Sequence, residues 1–190
     1  MRKISVLRTV YGRGYSSANT YTKRDNPKRY HTWHAMMQRC YSEYSKNKQP
    51  TYRKCRVCRE WHDFQNFAKW YEENYYEVDG ERMNLDKDIL VKGNKIYSPN
   101  TCIFVTQRIN TLFVKSDKKR GKYPIGVTYD KCHNKYKSHH CGYYDTAEEA
   151  FEAYKEYKEN YIKQIANEYK DKIPNKLYKA MYDYKVELSD

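Results

Sequence analysis

No run of apolar residues in this 190-residue sequence approaches the roughly 18–20 that a membrane-spanning helix requires. The amino terminus, MRKISVLRTVYGRGYSS, starts with basic residues, but its apolar stretch is too interrupted to be the core of a secretory signal. We therefore expect an intracellular, cytoplasmic protein with no membrane partner. In that compartment its six cysteines are expected to be reduced thiols.

Aliphatic residues are scarce, and acidic residues are outnumbered by basic ones. There are 24 Asp and Glu against 37 Lys and Arg, which gives a formal net charge of +13. A soluble protein this basic usually binds a polyanion, and nucleic acid is the first candidate; the alternative is a basic surface that is merely solvated. Since aliphatic residues are few, most of the 23 tyrosines are predicted to fill the core, and only a few to contact a ligand.

The sequence CRVC at residues 55–58 is a CxxC pair, but no second CxxC or HxxxH pair follows it that would supply the other two ligands of a zinc site. The CxxC spacing suits a structural zinc site. The side chains that could complete such a site are Cys40, His62 and Cys102. The flanking YRKCRVCREW fits equally well a short strand with Cys55 and Val57 on one face, and free cysteine is often a small buried hydrophobe. We favour the strand and expect no structural zinc.

The first third of the chain predicts an irregular arm followed by two helices. Residues 1–30 contain two glycines, a Ser/Asn/Thr stretch and Asn26-Pro27, which are typical of irregular backbone. A helix is expected to begin at Thr32-Trp33, and KNKQPT to form a loop after it. The apolar stripe of this helix comprises Trp33, Met36, Met37, Cys40, Tyr41 and Tyr44. Asp63 is then expected to cap a second helix. The apolar residues of that helix are Phe64, Phe67, Ala68, Trp70 and Tyr71.

Residues 84–110, NLDKDILVKGNKIYSPNTCIFVTQRIN, outline two strands and a helix. A short strand ends in Asp86-Lys87, a polar turn follows, and TCIFV forms the second strand. The helix after it is expected to run through Asn110 and Phe113. The next segment, VKSDKKRGKYP at residues 114–124, is basic and interrupted by Gly and Pro, so it predicts a linker between two domains.

The rest of the chain, residues 125–190, predicts a small three-stranded antiparallel sheet packed on a helix. IGVTYDKC and NKYKSHH are the first two strands, with a turn near His133-Asn134, and CGYYDT is the third. Thr146 and Glu149 form a capping box at the start of a long helix. Pro174 then marks the first turn of a last short helix. The fold class predicted for the whole chain is therefore α+β.

The segment 31–113 resembles the HNH (ββα-metal) nucleases, in the histidine-poor form that phages encode. Leu85-Asp86-Lys87-Asp88-Ile89 matches the first block of the homing-type pattern. Thr101-Cys102-Ile103-Phe104-Val105-Thr106, followed by Asn110, matches the second block. The resemblance implies an HNH-like ββα-metal domain with extra helices, acting as a DNA endonuclease or nickase. It also implies one magnesium or manganese ion per active site and, for a phage protein, location in the host-cell cytoplasm.

The resemblance assigns roles to four residues. Asp86 and Asn110 would bind the divalent ion, which stabilises charge on the phosphate and on the leaving oxygen. Lys87 occupies the position of the general base, which is a histidine in the family. Thr101 occupies the position of the asparagine that fixes the hairpin turn, and its hydroxyl can still bond to backbone, with Asn94 or Asn100 in support.

Lysine in place of histidine is the serious departure from the family pattern. At its ordinary pKa, about one lysine in a few thousand is neutral at pH 7. Burial and a nearby metal could lower the pKa of Lys87 enough to make it a base. Alternatively, Lys87 stays charged and holds the phosphate, while a water, His62 or a tyrosine activates the nucleophile.

Residues 125–190 resemble the plant APETALA/ethylene-response DNA-binding domain, which also accompanies phage HNH proteins. The resemblance is carried by Ile125-Gly126-Val127, Lys135-Tyr136-Lys137, Gly142-Tyr143-Tyr144-Asp145-Thr146 and the segment 148–154, EEAFEAY. The family lays its sheet in the major groove of double-stranded DNA. The DNA-contacting residues it implies here are Lys131, His133, Lys135, Lys137 and His139, joined by Lys118, Lys119 and Arg120 of the linker. The chain is shorter than the family between Lys137 and Gly142, which implies a clipped hairpin.

The two resemblances together favour a metal-dependent DNA endonuclease that acts on no small-molecule substrate. A catalytically inactive DNA-binding protein on a degenerate HNH scaffold, such as a phage regulator or a factor that interferes with host defence, is the main alternative. An RNA-binding protein would fit the charge and the tyrosines, but neither motif. Retention of Asp86 and Asn110 favours catalysis, and Lys87 favours the inactive protein.

Overall fold

The computed structural model describes residues 9–114 and 122–188. The chain divides into two compact units, residues 1–106 and 107–190. Within the described residues there are six α-helices and seven short strands, so the predicted α+β class is confirmed. None of the helices in these ranges is long and apolar enough to cross a bilayer.

The first unit contains four helical or strand elements before residue 75 and three short strands after it. The elements are α1 (Pro27–Tyr41), α2 (Glu43–Lys48), β1 (Arg56–Val57), α3 (Phe64–Asn74), β2 (Met83–Asp86), β3 (Ile96–Tyr97) and β4 (Ile103–Thr106). Strands β2 and β4 are antiparallel, with Leu85 opposite Phe104, as residues 84–110 predicted. Strands β1 and β3 pair in parallel, which the sequence patterns did not predict.

Helix α1 begins earlier than predicted, at Pro27 rather than at Thr32. The side chain of Asn26 accepts a hydrogen bond from the backbone N–H of Arg29, 3.0 Å away. Proline at the first helical position has a φ angle suited to the helix and lacks only an N–H that would have no partner there. Asn26-Pro27 is therefore a helix start, and its interpretation as irregular backbone was wrong.

The helix also ends earlier than the predicted apolar stripe. Ser42 follows α1 and caps α2, since its hydroxyl accepts from the N–H of Ser45. Tyr44 consequently lies in α2 and is 70% exposed, so its predicted place in the stripe was wrong. Part of the predicted loop KNKQPT is helical, because α2 extends to Lys48 and a 3₁₀ turn follows at Pro50–Tyr52.

The core of the first unit is built mainly from aromatic rings. Trp33 and Trp61 are almost completely buried, and the indole N–H of Trp33 donates to the carbonyl of Trp61 at 2.8 Å. All five apolar residues predicted for α3 are buried, and Asp63 caps that helix by accepting from the N–H of Gln65. Of the 23 tyrosines, four are buried, twelve are partly buried and seven are exposed, so most of them pack in part but few lie in the core.

Where the structure describes it, from residue 9, the amino-terminal arm has irregular backbone, and it is attached to the rest of the first unit at several points. The carboxamide of Gln65 accepts from the N–H of Tyr21 and donates to the carbonyl of Tyr21 and to the hydroxyl of Ser16. Gly14 lies so close to Trp33 that an added Cβ would be 2.8 Å from the indole ring. Glycine is required at that position because a larger residue would displace a core side chain.

The second unit contains a three-stranded antiparallel sheet and three helices. The elements are α4 (Gln107–Leu112), β5 (Val127–Asp130), β6 (Lys135–Ser138), β7 (Gly142–Tyr144), α5 (Ala147–Glu168) and α6 (Asn175–Tyr182). The strand order is β5-β6-β7, and the hairpin between β6 and β7 forms around a short turn in which His140 has a φ of 72°. Pro174 precedes α6 as its N-terminal cap residue.

The predicted capping box at the start of α5 is present. The Thr146 hydroxyl accepts from the N–H of Glu149, and the Glu149 carboxylate accepts from the N–H of Thr146, each at 3.2 Å. Helix α5 packs against the sheet through a small core that contains Val127, Phe151 and Tyr154. The predicted linker, residues 114–124, lies mostly outside the described residues, and α4 groups with the second unit.

Candidate active site and nucleic-acid interface

Asp86 lies at the end of β2, where its carboxylate closes a tight turn. One oxygen, Oδ1, accepts from the backbone N–H groups of Asp88 and Ile89 at 2.8 and 2.7 Å. The other oxygen, Oδ2, accepts no hydrogen bond from any described residue. The turn therefore fixes the orientation of the carboxylate and leaves one oxygen available to a ligand.

The carboxyl group of Asp86 has an unusual pKa. Burial raises it to about 6, and the neighbouring charge of Asp88 raises it in the same direction; the two backbone N–H donors only partly oppose this. A divalent cation would relieve both effects, because it supplies positive charge to an oxygen that water reaches poorly. This environment fits a hard metal ion at Asp86.

Lys87 is buried between two tyrosine rings. Its ammonium nitrogen lies 5.9 Å from the ring centroid of Tyr52 and 5.8 Å from that of Tyr97. The same nitrogen donates to the carboxylate of Asp88 at 2.9 Å. With the residue only 7% exposed, its position is set by cation–π contacts and one ion pair.

The pKa of Lys87 is raised, contrary to the expectation that burial could make this residue a base. Burial alone would lower the pKa, but the hydrogen bond and the charge of Asp88 outweigh it, aided by Cys55 and Asp86. Lys87 is therefore a cation at neutral pH. This direction favours the alternative in which Lys87 stays charged, and its role as a general base stays a prediction.

The loop between β2 and β4 is fixed by two side chains. The carboxamide of Asn94 donates to the carbonyls of Lys87 and Ile96, at 2.6 and 2.7 Å, and accepts from the N–H of Ile96. The Thr101 hydroxyl donates to the same Ile96 carbonyl at 2.8 Å. The prediction that Thr101 would bond to backbone with Asn94 in support is confirmed, and Lys87 is held from both its side chain and its carbonyl.

Asn110, the second predicted metal ligand, lies half-buried in α4, in the second unit. Its pairing with Asp86 stays a prediction. Among the described residues, no three His, Cys, Asp or Glu side chains gather around one point. An ion at Asp86 would therefore complete its coordination with amide oxygens, phosphate oxygens and water, which suits magnesium.

His62 is the alternative proton acceptor that the sequence suggested. Its Nε2 is 2.9 Å from the hydroxyl of Tyr41, which also receives a hydrogen bond from the N–H of Val57. Burial lowers the pKa of His62, and the charge of Arg13 lowers it further. The ring is therefore neutral at pH 7, as a base requires, but one of its nitrogens is engaged by Tyr41.

The cysteines of the first unit lie in the core. Cys55 and Val57 are both buried, while Arg56 between them is exposed, which confirms the predicted strand face. Burial raises the pKa of Cys40 and of Cys102 to about 12. These thiols stay protonated at neutral pH and serve as small apolar side chains.

One face of the three-stranded sheet is turned away from α5. Residues paired directly across antiparallel strands share a face. Thr128 is opposite Lys137, Asp130 is opposite Lys135, and Lys137 is also opposite Tyr143. We call the surface formed by Thr128, Asp130, Lys135, Lys137 and Tyr143 the outer face. The opposite face carries Val127, Tyr136 and Tyr144, which pack with α5.

The outer face carries an ordered set of polar contacts around Asp130. Its carboxylate accepts from His133 Nδ1 at 3.0 Å and from the Tyr143 hydroxyl at 3.2 Å. The Lys137 ammonium lies 5.9 Å from the centroid of the Tyr143 ring, and Lys135 pairs with Asp145 at 3.0 Å. His133, Lys135 and Lys137 thus lie on one surface, as predicted. The carboxylates of Asp130 and Asp145 lie among them.

The other predicted DNA contacts are distributed differently. Lys131 is exposed in the β5–β6 turn, beside the outer face. His139 follows the end of β6, and its ring contacts His140, which in turn contacts Tyr157 of α5. The backbone N–H of His139 donates to the carbonyl of Gly126 at 2.8 Å, which continues the pairing of β6 with β5, and the DNA contact of His139 stays a prediction. The predicted contacts of the linker, Lys118, Lys119 and Arg120, lie outside the described residues.

Two residues beside Lys87 have structural roles that sequence reasoning missed. Tyr52 and Tyr97 precede and follow Lys87 by 35 and 10 positions and come from different elements. Tyr52 lies in a 3₁₀ turn, and Tyr97 lies in β3, which pairs in parallel with β1. No local sequence pattern brings these two segments together, so no sequence signal could have identified the two tyrosines as neighbours of Lys87.

No family model matches the chain, and neither a curated protein nor a solved structure is significantly similar to it. The resemblance to HNH nucleases and to APETALA-type domains is one of sequence motifs.

Proposed function

We propose that the protein is a metal-dependent DNA endonuclease or nickase of the HNH type, which binds double-stranded DNA through the outer face of its sheet. The observation that supports this best is the Asp86 carboxylate at the strand end. It is fixed by two backbone donors, has an oxygen to spare and carries a raised pKa. Perturbed carboxylates with an available oxygen are typical of functional sites.

In this proposal the chain's own residues position the reacting groups. Asp86, with Asn110, would hold a magnesium or manganese ion that supplies Lewis-acid stabilisation to the phosphate. Lys87 keeps its proton and fixes Asp88, and so helps to hold the turn that orients Asp86. Asn94 holds the backbone of Lys87 from the other side.

The direct test is an assay with supercoiled plasmid, with and without magnesium or manganese. We expect nicking or linearisation that requires the metal and stops on addition of a chelator. Plasmid that is retarded in a gel but never cut, at any metal concentration or pH, would contradict the nuclease assignment.

The second candidate function is that of a DNA-binding protein without catalysis. The charged state of Lys87 favours it, because the residue in the position of the base cannot accept a proton at neutral pH. This candidate predicts retardation of the plasmid without cleavage, and binding that does not depend on a divalent metal.

Binding of DNA by the outer face can be tested separately from cleavage. Replacing Lys135 and Lys137 together by glutamine should reduce affinity for duplex DNA at least about tenfold at roughly 0.1 M salt. The slope of log affinity against log salt should also fall by up to about 2, since each phosphate contact contributes about 0.9. Fluorescence anisotropy over a salt series measures both quantities.

The matched control is the exposed pair Lys176 and Lys179 on α6, replaced by glutamine in the same way. This variant has the same net charge as the first, and its salt slope should match the wild type. If the two double variants behave alike, the outer face is not the DNA reader, and the basic amino-terminal arm becomes the surface to test.

A further inference from the structure

Two cations of the amino-terminal arm lie over tyrosine rings on one side of α1. The ammonium nitrogen of Lys23 is 5.7 Å from the ring centroid of Tyr30, and the guanidinium carbon of Arg13 is 6.0 Å from that of Tyr41. The two tyrosines are about three helical turns apart, so they share a side of the helix. Both cations are exposed, and neither forms an ion pair with a described residue. The rings thus restrain two charges that have no acidic partner.

Two histidines of α1 belong to the same side of the helix. The ring centroid of His34 is 5.2 Å from that of Tyr11 and 6.1 Å from that of Tyr30, and His31 contacts Tyr30 at 6.4 Å. Neither imidazole forms a hydrogen bond with a described residue, so the ring nitrogens are left for solvent or a ligand. We call this surface the arm edge; it consists of Tyr11, Arg13, Lys23, Tyr30, His31, His34 and Tyr41.

The charge of this part of the chain has one sign. Residues 9–41 contain six Lys or Arg and one acidic residue, Asp25. The carboxylate of Asp25 accepts from the N–H of Thr22 at 2.8 Å and closes the turn that carries Lys23. Two of the six cations pair with glutamates between residues 72 and 77, and neither of these two belongs to the arm edge. The arm edge contains no carboxylate, so its net charge is positive.

The chemistry of the arm edge fits phosphate groups better than nucleobases. Proteins that hold single strands stack bases on open aromatic rings. The ring of Tyr30 is already engaged, by Lys23 on one side and by Trp33 and Phe64 of the core. The exposed cations, in contrast, are open to the anionic backbone, which has its highest charge density in duplex DNA. We propose that the arm edge binds the phosphate backbone of duplex DNA, as a second DNA-binding surface in addition to the outer face.

This inference rests on the proposed function for the nature of the partner, and it adds to that function a surface that neither sequence motif contains. Contacts to phosphate position a protein on DNA without reading its sequence. The arm edge belongs to the first unit, which also carries Asp86. A grip on the backbone there holds the DNA at the unit to which cleavage is assigned, whereas the outer face holds it at the second unit.

The test compares wild type with the double variant Arg13→Gln, Lys23→Gln, by fluorescence anisotropy of a labelled duplex without divalent metal. Affinity should fall at least about tenfold at roughly 0.1 M salt, and the slope of log affinity against log salt should fall by up to about 2. The variant Arg13→Lys, Lys23→Arg keeps both charges and should keep the wild-type slope. The matched control is Arg56→Gln, Lys69→Gln, an exposed pair of the first unit outside the arm edge, and it should also keep that slope.

The histidines provide a second readout. The groups around His34 are Tyr11 and Lys23 of the arm and Tyr30 and His31 of α1, and none is a carboxylate. Burial, and then the charges of His31 and Lys23, lower the pKa of His34, so the ring is neutral at pH 7. A nearby phosphate favours the protonated form, and wild type should therefore bind more tightly at pH 6 than at pH 8. Replacing both histidines by glutamine should reduce this gain.

Binding without metal separates this inference from the nuclease proposal. If wild type never cuts but its salt slope depends on Arg13 and Lys23, the nuclease proposal fails and the arm edge stands. If the double glutamine variant is folded by its tryptophan fluorescence and keeps the wild-type slope, the inference is overturned, even if wild type cuts. Should that variant not fold, Lys23→Gln alone should lower the slope by up to about 1, and an unchanged slope would be equally decisive. Tighter binding to a single strand than to a duplex of the same length would also overturn it.

Discussion

Asp86→Asn is expected to abolish metal-dependent cleavage and, at the same time, to stabilise the first unit. Asparagine keeps the Oδ1 that accepts from Asp88 and Ile89, so the turn should persist. It removes the negative charge that a divalent ion requires, and we expect cleavage to fall at least about 100-fold. Affinity for DNA should change little, because the outer face is unaltered.

The gain in stability follows from the raised pKa of Asp86. The folded carboxyl has a pKa of about 6, against an ordinary value of 3.8. Between these values the folded state holds a proton that the unfolded state has lost, so stability falls as pH rises. Above about pH 6 the full penalty is present, on the order of 3 kcal/mol as an upper bound; below about pH 4 it is absent.

The variant should therefore be more stable than wild type at pH 7–8, and the difference should vanish as the pH falls toward 4. Tryptophan fluorescence measures this selectively, because Trp33, Trp61 and Trp70 all lie in the first unit. Asp88→Asn is the comparison, since it removes the partner of Lys87 and should destabilise. Equal stability of Asp86→Asn and wild type at pH 8, or undiminished cleavage, would contradict the assignment.

Gly126→Ala is expected to unfold the sheet of the second unit. Gly126 has a φ of +78°, and a Cβ at this position would lie 2.3 Å from the ring of Tyr154, a buried residue of α5. Left-handed backbone costs a non-glycine residue about 1–2 kcal/mol, and overpacking adds about 1–3 kcal/mol. The core of this unit is small, so a loss of roughly 3 kcal/mol or more should exceed what it can tolerate.

The matched control is Gly142→Ala, where φ is +102° but an added Cβ meets nothing within 4 Å. It should show the backbone strain alone. The expected readouts for Gly126→Ala are loss of strand signal and of sheet-dependent DNA binding, with the tryptophan signal of the first unit unchanged. Similar thermal stability of the two variants would show that the close contact with Tyr154 does not contribute to the loss of stability.

The elements that sequence reasoning predicted well are those whose signals are local. The capping residues Asp63 and Thr146, the stripe of α3 and the strand ending at Asp86 depend on spacings of two to seven residues. The strand pairs β5–β6 and β6–β7 are joined by short turns, so their positions follow from the same local patterns. The start of α1 was missed although its signal, Asn26-Pro27, is local as well.

The surroundings of Lys87 could not be predicted, because they assemble from distant segments. Tyr52 comes from a 3₁₀ turn and Tyr97 from β3, which pairs in parallel with β1. The lysine was predicted to matter, but its protonation state depends on its burial, which the fold defines, and on the hydrogen bond to Asp88, the next residue in the sequence.

The enclosure of Lys87 has a consequence for how this site can evolve. The ammonium group of Lys87 donates to the Asp88 carboxylate and contacts the rings of Tyr52 and Tyr97. A single substitution to histidine would leave the carboxylate without its ion pair and a gap between the rings. A change to a histidine at this position thus requires coordinated changes at several others, and the intermediate proteins would be less stable than either end point. This epistasis would preserve the lysine whether or not the protein cuts DNA.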